Sequence, residues 1–361
     1  MKKILFSTLF TTVSMFAIGQ NLITVGILPD LDTDFSSIQA AIDAATSGDI
    51  IQITPGVYSE TGITIDKPVY IQGAGYLVEA NYNTLGIISG STHLTSTISI
   101  DANGSNSIIE GLDINTLNIT DAVDVIIQRT RIRRAIFTNL SAEFQGCYLG
   151  GSNYGTPHDA QFLLSDSNHL SFVNCLFAES NNNVNGIASD ERHEIFRSLS
   201  SGVVPVGQIS FDRCIFRNYI AQGLTGVVVI VSNSIFLTNQ GRMSTSTNSN
   251  ASGSVIVNSL FEVTSSEDAL SSNNIFGISG AAEFNGYPSG TPSFDAQYML
   301  SDTSQAMGYA NDGGDCGIFG GVNPYVLSGI PSIPFIYNFD ANQQGSTGGG
   351  LDVNIRVRSQ N

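Results

Sequence analysis

The stretch SFVNCLF occupies Ser171–Phe177, and a near-copy, SFDRCIF, occupies Ser210–Phe216. Looser versions end at Phe236, Phe261 and Phe276. The fullest copies hold a hydrophobic residue, a spacer, a turn-forming residue, a small residue, a second spacer and Phe. Such repetition marks either a chemical motif used several times or one layer of a stacked structure, and repeats of this length indicate a solenoid.

The small residue of each copy, termed the anchor here, recurs through the middle of the chain. Its spacings are 18, 17, 28, 39, 20, 25 and 15 residues. Most of these approximate one coil of a parallel β-solenoid, and 39 fits two coils or one coil with an insertion. The anchors are Leu112, Thr130, Cys147, Cys175, Cys214, Ser234, Ser259 and Asn274.

Strand geometry explains why hydrophobic residues flank each anchor at fixed offsets. Side chains alternate across a strand, so the anchor and the residue two positions later share a face. The residue before the anchor is Asn four times and Gly twice, types that tolerate the left-handed conformation of a tight bend. The bend resets the alternation, so the hydrophobic residue three positions before the anchor also points inward. Stacking should complete the apolar interior, with Phe177, Phe216, Phe236 and Phe261 in one column.

A second signature precedes the repeats, in FSSIQAAIDAATSGDIIQITPGVYSE, which begins at Phe35. Apolar residues between Ile38 and Ala45 recur at helical spacing, after an N-cap at Ser36 or Ser37. Two strand-like runs follow. A short helix placed before the first strands can cover the open apolar end of a solenoid.

This stretch resembles the N-terminal cap and first coils of the pectate-lyase-like right-handed parallel β-helix superfamily. YMLSDTSQAMGYANDGGDCGIFGG, residues 298–321, is similar to the closing coil of many exported β-helix proteins. The resemblance covers residues 24–320 and implies an all-β fold. It implies no single activity, because that superfamily includes lyases, hydrolases, esterases, epimerases, adhesins and tailspikes.

Three segments are predicted. Residues 1–19 carry Lys2 and Lys3, an apolar run and small residues before a cut, which is typical of a secretory signal peptide. Residues 20–320 form the β-helix. Residues 321–361 contain two alternating runs around a Gly-rich turn, which predicts a β-hairpin that is either a cap on the solenoid or a sorting tail. We therefore expect a secreted or cell-surface protein.

Charge and hydropathy exclude several partners. The formal net charge is −17, which argues against nucleic acid or an anionic membrane as a partner. After the signal peptide, no stretch approaches the roughly 20 apolar residues of a membrane helix.

The densest polar cluster lies between Glu110 and Arg134. By resemblance, β-helix lyases that act on uronic-acid chains use a basic residue to remove a proton, and carboxylates, often through Ca²⁺, to make that proton acidic. Lys67 is the only lysine after the signal peptide, so arginine would have to be the base. The candidate catalytic residues are Arg129, Arg131, Arg133, Asp113, Asp121 and Asp124.

A structural alternative exists for the same residues. Asp113 and Arg131 each follow an anchor in successive coils, so they would stack about 4.8 Å apart as an exposed salt bridge. Such bridges contribute less than about 1 kcal/mol. The candidate substrate-binding residues are Glu110, Glu143 and His193; His193 lies in the charged run SDERHEIFR, which also fits a plain surface loop.

Metal and thiol chemistry receive weak support. Asp30, Asp32 and Asp34 alternate, but the EF-hand positions that need Gly and Glu hold other residues. Asp312 and Asp315 lie in a Gly-rich segment, and this composition favours a structural turn over a Ca²⁺ site. The cysteine anchors could be stacked thiols or disulfides.

One apolar column conflicts with the predicted alternation. The residue after the anchor should face outward, so this stripe must be covered, must bind a partner, or must indicate a register error of one residue. The residues are Leu176, Ile215, Ile235, Leu260 and Ile275.

Two functions follow. The first is a polysaccharide-binding, adhesive or structural module at the cell exterior, because the coil pattern is intact and no complete catalytic set is present. The second is a polysaccharide-degrading enzyme, an alternative that the resemblance to this superfamily motivates, and specifically a lyase acting on acidic glycans. Ca²⁺ is the cofactor expected for the lyase.

Overall fold

The computed structural model describes residues 20–28, 31–81, 90–150, 162–177, 194–198, 205–217, 219–222, 226–237, 254–264, 271–341 and 353–358. The predicted signal peptide and His193 lie outside the described residues.

The described chain is mostly strand, with short helices at the two ends. The strands are β1 (Leu22–Val25), β2 (Ile50–Ile53), β3 (Gly56–Tyr58), β4 (Ile63–Ile65), β5 (Tyr70–Gln72), β6 (Thr92–Ile100), β7 (Ile108–Glu110), β8 (Asp113–Thr120), β9 (Val125–Gln128), β10 (Arg131–Gln145), β11 (Tyr148–Leu149), β12 (Phe162–Val173), β13 (Leu176–Phe177), β14 (Glu194–Ser198), β15 (Val206–Asp212), β16 (Ile215–Phe216), β17 (Tyr219–Gln222), β18 (Gly226–Ser232), β19 (Ile235–Phe236), β20 (Val255–Val257), β21 (Leu260–Phe261), β22 (Ser271–Ser272), β23 (Ile275–Phe276), β24 (Phe335–Ala341) and β25 (Val353–Arg358). The α-helices are α1 (Ile38–Ala44) and α2 (Gly280–Glu283), and 3₁₀ turns cover Val78–Asn81, Ala102–Gly104, Ala296–Tyr298 and Leu327–Gly329.

Every described pairing among β1–β23 is parallel, and each strand pairs with its counterpart one coil away. The pairings form three faces that wind around one axis. The first sheet leads into the anchor and runs from β1 through β2, β5, β7, β9, the ends of β10 and β12, β15, β18 and β20 to β22. The second sheet follows the anchor and runs from β3 to β23. The third contains β4, the middle strands and β17. The predicted parallel β-helix is confirmed.

A left-handed residue precedes every anchor, as the sequence predicts. The backbone φ there lies between 49° and 69°, a region that Gly and Asn enter at the lowest cost. Two arginines occupy the same position, and their side chains make contacts that are described below. The residues are Gly111, Arg129, Gly146, Asn174, Arg213, Asn233, Asn258 and Asn273.

The predicted aromatic column is present and continuous. Phe177, Phe216, Phe236, Phe261 and Phe276 are in register, and successive ring centroids lie 4.9, 4.7, 4.5 and 5.0 Å apart in stacked geometry. A second column from the first sheet stacks beside it, because the residues three positions before the anchors also point inward. Offset stacking adds to area burial, so the interior is a continuous, closely packed apolar rod.

The anchors fill the narrow corner of each coil. All four cysteines lie within the described residues and carry free, buried thiols, so the stacked-thiol alternative is the one observed. Ser234 and Ser259 replace the thiols in later coils and donate their hydroxyls to Ser232 and Val257 carbonyls at 2.7 and 2.9 Å. The position requires a small side chain, and any polar group on it must find a hydrogen-bond partner in the nearby backbone.

Helix α1 covers the N-terminal end of the rod. Ser37 caps its N-terminus, and the Glu60 carboxylate accepts from the backbone N–H groups of Ile38 and Gln39 at 2.6 and 3.1 Å. Lys67 Nζ donates to carbonyls of its last turn, including that of Ile42 at 3.0 Å. Opposite charges at the two helix ends complement the helix dipole. The predicted cap is therefore correct.

Residues 278–330, termed the strap, differ from the predicted closing coil. The strap leaves the last coil at Ile278, whose N–H donates to Phe261 O at 3.0 Å, and runs back along the outside of the second sheet to Tyr76, whose N–H donates to Ser328 O at 2.8 Å. It ends beyond residue 320, the predicted end of the β-helix, because Tyr325 and Ile330 are buried in the same cluster as its earlier residues.

The strap explains the apolar outward column. Leu176, Ile215, Ile235 and Leu260 are buried against strap residues such as Cys316 and Ile318, so the predicted alternation is right and the stripe is covered. The turns hold the strap in place: Gly317 N–H donates to Asn233 O at 2.9 Å, and Asn174 Nδ2 donates to Ile318 and Gly320 carbonyls at 2.8 Å.

The C-terminal hairpin is also as predicted. Strands β24 and β25 pair antiparallel. Among the described residues, no helix is both long enough and apolar enough to span a membrane.

Replacement of one ring in the middle of the aromatic column should be costly. Phe236→Ala removes stacking on both sides and leaves a cavity, so we expect the free energy of unfolding to fall by about 3–5 kcal/mol. Phe276→Ala is the matched control, because Phe276 stacks on a described ring on one side only and is half-buried; its loss should be clearly smaller. Urea denaturation measures both, and equal losses would contradict a continuous column.

Candidate functional site

The six predicted catalytic residues lie in three separate places. Asp113, Arg131 and Arg133 form one cluster on the second sheet. Asp113 is paired in register with Arg131, and its Oδ2 lies 3.5 Å from Arg131 Nη1 and 2.8 Å from Arg133 Nη2. Arg133 also bonds to His93 at 3.2 Å and to Asn115.

The predicted ladder of Asp113 and Arg131 is present, but the expectation that it is exposed is wrong. Asp113 is 2% and Arg131 is 8% exposed. The Arg131 guanidinium lies 5.3 Å from the Tyr148 ring centre, and Tyr148 in turn packs on Phe294 of the strap. Burial of this pair therefore depends on a segment more than a hundred residues away.

Asp121 and Asp124 lie at the opposite end of β8 from Asp113, in the turn between the third and first sheets. Both have left-handed backbones, with φ of 57° and 55°. Asp121 accepts from Asn139 Nδ2 at 2.8 Å, and Asp124 N–H donates to Ser141 Oγ at 2.8 Å. These contacts stack one turn on the next, and they do not bring either carboxylate to the arginine cluster.

Arg129 lies with Glu110 rather than with the other arginines. Arg129 Nη1 is 3.4 Å from Glu110 Oε1. Glu110 Oε2 also accepts from Gln72 Nε2 at 3.0 Å and from the Tyr70 hydroxyl. Burial raises the pKa of Tyr70, and the hydrogen bond to Glu110 raises it further, so this phenol remains a proton donor.

A groove runs along the outer face of the first sheet. Its polar side chains come from the positions six and four residues before successive anchors, and adjacent coils stack them in register. Its volume is about 350 Å³. The polar lining residues are Asp124, Ser141, Glu143, His169, Ser171, Gln208 and Ser210.

The predicted substrate-binding residue Glu143 is in this groove, whereas Glu110 lines a neighbouring cleft between the first sheet and the strap. The cleft has a volume of about 340 Å³. Glu143 Oε1 accepts from Gln145 Nε2 at 2.9 Å, and Gln145 also lines the cleft, so the two concavities adjoin. The cleft is lined by Glu110, Gln128, Arg129, Gln145, Gly146, Val322, Asn323, Pro324, Val326 and Ser332.

A buried carboxylate fixes the strap beside the cleft. Asp295 is fully buried and accepts from Asn81 Nδ2, Ser328 N–H and the Tyr325 hydroxyl at 2.8, 2.8 and 3.2 Å. Burial raises the pKa of Asp295, while the hydrogen bonds from Asn81 and Ser328 oppose the rise. Because Asn81 precedes Asp295 by more than 200 residues, this network joins the strap to the first part of the fold.

Sequence reasoning missed His169, Ser171, Gln208 and Ser210. Their signal was available, because counting back six and four positions from the anchors at Cys175 and Cys214 selects them. The strap side of the cleft carried no comparable signal, since its residues belong to no repeat.

Ca²⁺ remains a prediction. Within the part of the chain that the structure describes, no group of three or more His, Cys, Asp or Glu side chains is placed to hold a metal ion. Asp312, a sequence candidate, instead forms an ion pair with Arg213 Nη2 at 2.6 Å. Hydrogen bonding from Gly314 N–H and from Arg213 lowers the pKa of Asp312.

Comparison with known proteins finds similarity to solved structures. No family profile and no curated protein matches the chain. A crystal structure of pectate lyase Pel9A is similar with a TM-score of 0.46 and 13% identity, covering 83% of this chain and 96% of that one. Pectin methylesterase from Aspergillus niger is similar with a TM-score of 0.25 and 13% identity, covering 79% of this chain and 91% of that one.

Both are β-helix proteins. At these scores the likeness carries no argument. The parallel register of the strands shows that this chain has a parallel β-helix fold.

The raised pKa of Asp295 predicts a pH dependence of stability. The native state holds the Asp295 proton more tightly than the unfolded chain, whose Asp pKa is about 3.9. The contribution of this proton to the free energy of unfolding is therefore fully present below the unfolded-state pKa, and it is lost as pH rises through the native pKa. Relative to Asp295→Asn, the wild-type protein should therefore gain stability as pH falls from about 7 to about 4.

Denaturant unfolding at several pH values measures this difference. Asp302→Asn, which replaces an exposed aspartate of the same strap, is the control and should show no such trend. A difference in the free energy of unfolding between the wild type and Asp295→Asn that stays constant with pH would contradict the raised pKa of Asp295.

Proposed function

We propose that the protein is an exported glycan-binding module that holds a hydroxyl-rich polysaccharide along the groove of the first sheet. The observation that carries this proposal is the repetition of short polar side chains in register from coil to coil. Coils rise by about 4.8 Å, so an extended polymer lying along the axis would meet similar donors and acceptors at each step.

The charge of the groove favours a neutral glycan. Its charged lining residues are Asp124 and Glu143, and among the described lining residues none is Lys or Arg. A uronic-acid chain would bring further negative charge to this surface, and the whole chain already has a net charge of −17. Hydroxyl groups can instead donate to the carboxylates and accept from His169 and Gln208.

The contacts of the arginines favour binding over lyase chemistry. Each of the three candidate bases lies at a carboxylate: Arg129 at Glu110, and Arg131 and Arg133 at Asp113. A guanidinium that donates to a carboxylate is in its cationic form and has no lone pair with which to accept a substrate proton. Export is supported by the signal-peptide pattern of residues 1–19 and by the acidic composition.

Binding to a panel of polysaccharides tests the proposal. The panel contains neutral xylan, glucan, mannan and galactan, and polygalacturonate with and without Ca²⁺. We expect binding to at least one neutral glycan. Binding confined to polygalacturonate with Ca²⁺, or the appearance of ultraviolet absorbance from unsaturated ends, would support the lyase function and contradict the proposal.

Variants locate the binding surface. Ser171→Tyr and Ser210→Tyr fill the groove at outward strand positions, so each should lower affinity by about tenfold or more, equivalent to about 1.4 kcal/mol. Thr116→Tyr, at a half-buried position of the third sheet, is the matched control and should bind as the wild type does. Equal affinities for all of these proteins, measured by titration calorimetry, would show that the groove is not the site.

A further inference from the structure

Two arginines at the same position of the coil have different surroundings. Arg129 and Arg213 each precede an anchor and have left-handed backbones, with φ of 49° and 53°. Non-glycine residues occupy this region at a cost. The contacts of each side chain therefore indicate why an arginine is kept there.

Arg213 fixes the strap to the coils. Its Nη2 donates to both Asp312 oxygens at 2.6 Å, its Nη1 to Asp212 at 3.0 Å and its Nε to the Asp315 carbonyl at 3.2 Å. Every nitrogen of the guanidinium is used, and four short bonds fix its plane.

Arg129 is held much more loosely. Its Nη1 reaches Glu110 Oε1 at 3.4 Å and the Ile330 carbonyl at 3.5 Å, both at the long limit of a hydrogen bond. The side chain borders the cleft between the first sheet and the strap. The structural requirement that accounts for Arg213 thus does not account for Arg129.

The carboxylate beneath Arg129 is rigid and almost fully buried. Glu110 is 1% exposed, and Tyr70 and Gln72 hold its Oε2 from below. A fixed carboxylate beside a loosely held guanidinium provides an acceptor and a donor at the floor of the cleft. Their opposite charges cancel, so the floor favours a neutral polar ligand over an anion.

The walls of the cleft complete this chemistry. Gln128 and Gln145 are paired in register and offer stacked amides, each a donor and an acceptor. Across from them the strap presents Val322, which is 95% exposed, with Pro324 and Val326. Amides on one side and an aliphatic surface on the other, flanked by Asn323 and Ser332, match a sugar ring, which has hydroxyls at its edge and C–H groups on its face. The volume of about 340 Å³ is at the small end of ligand sites.

We propose that this cleft is a second sugar-binding site, which takes a neutral sugar residue of the same glycan chain that occupies the groove. The proposal rests on the glycan-binding function above. Arg129 and the amides bind the hydroxyls, Glu110 orients Arg129, and the strap wall packs on the ring. Gln145 joins the two concavities through its bond to Glu143, so a chain long enough to leave the groove enters the cleft.

Oligosaccharides of increasing length test the proposal, prepared from whichever neutral polysaccharide the wild-type protein binds and titrated by calorimetry. Arg129→Gln should lower affinity about tenfold for the longer oligosaccharides and leave the shortest bound ones unaffected, because only the longer ones reach the cleft. Val322→Asp, at the exposed rim, should have the same length-dependent effect with no change in unfolding midpoint. Arg134→Gln, at an exposed position of the third sheet, is the control and should match the wild type.

The outcomes separate the two proposals. Wild-type affinity at every oligosaccharide length in both Arg129→Gln and Val322→Asp, together with weakened binding in Ser171→Tyr, would overturn the cleft site and leave the groove in place. A wild-type protein that binds no neutral polysaccharide would overturn both. An equal loss at every length in Arg129→Gln, with a lowered unfolding midpoint and with no loss in Val322→Asp, would assign Arg129 a purely structural role and would also overturn the cleft site.

Discussion

The left-handed residue before each anchor sets the geometry of the whole solenoid. It turns the chain within one residue, so the strands on both sides of the bend direct alternate side chains into the same interior. The Phe columns follow from that geometry, since each coil repeats the bend at the same place. The turn column also supplies the outer face with the side chains of Asn174, Arg213 and Asn233, which hold the strap. The packing of the core and the attachment of the strap therefore both depend on the same backbone bend.

The strap divides the outside of the solenoid into surfaces with different tasks. Over the second sheet it covers the apolar column that runs from Leu176 to Leu260, and it also lies over the partners of the Asp113 cluster. The first sheet keeps its polar rows in the groove, and the end of the strap adds an aliphatic wall beside them. Burial of Asp295 at that end connects the wall to Asn81 near the N-terminus, so the shape of the cleft depends on residues far apart in the chain.

Local repetition made much of the fold predictable. The anchors, the bend residues and the Phe column could be read from the sequence because each coil encodes them within seven residues. The strap could not, because its residues follow no period and its role appears only when distant segments meet. For the same reason Asp113 and Arg131 were correctly paired but wrongly placed at the surface. The sequence prediction grouped residues of the arginine-rich run because they are close in sequence. The groove instead takes one or two residues from each of several coils. Residues only ten positions apart, such as Asp121 and Arg131, lie in different parts of the coil.

Amide hydrogen exchange distinguishes a strap that is an integral layer of the fold from one that is loosely attached. Ile235 N–H donates to Cys214 O at 2.9 Å within the coils, and Gly317 N–H donates to Asn233 O at 2.9 Å across the strap. If the strap is an integral layer of the fold, both amides should exchange only on global unfolding and show similar protection. Rapid exchange at Gly317 with full protection at Ile235 would show that the strap is not fixed on the solenoid, and would contradict both the covered apolar column and the cleft that the strap encloses.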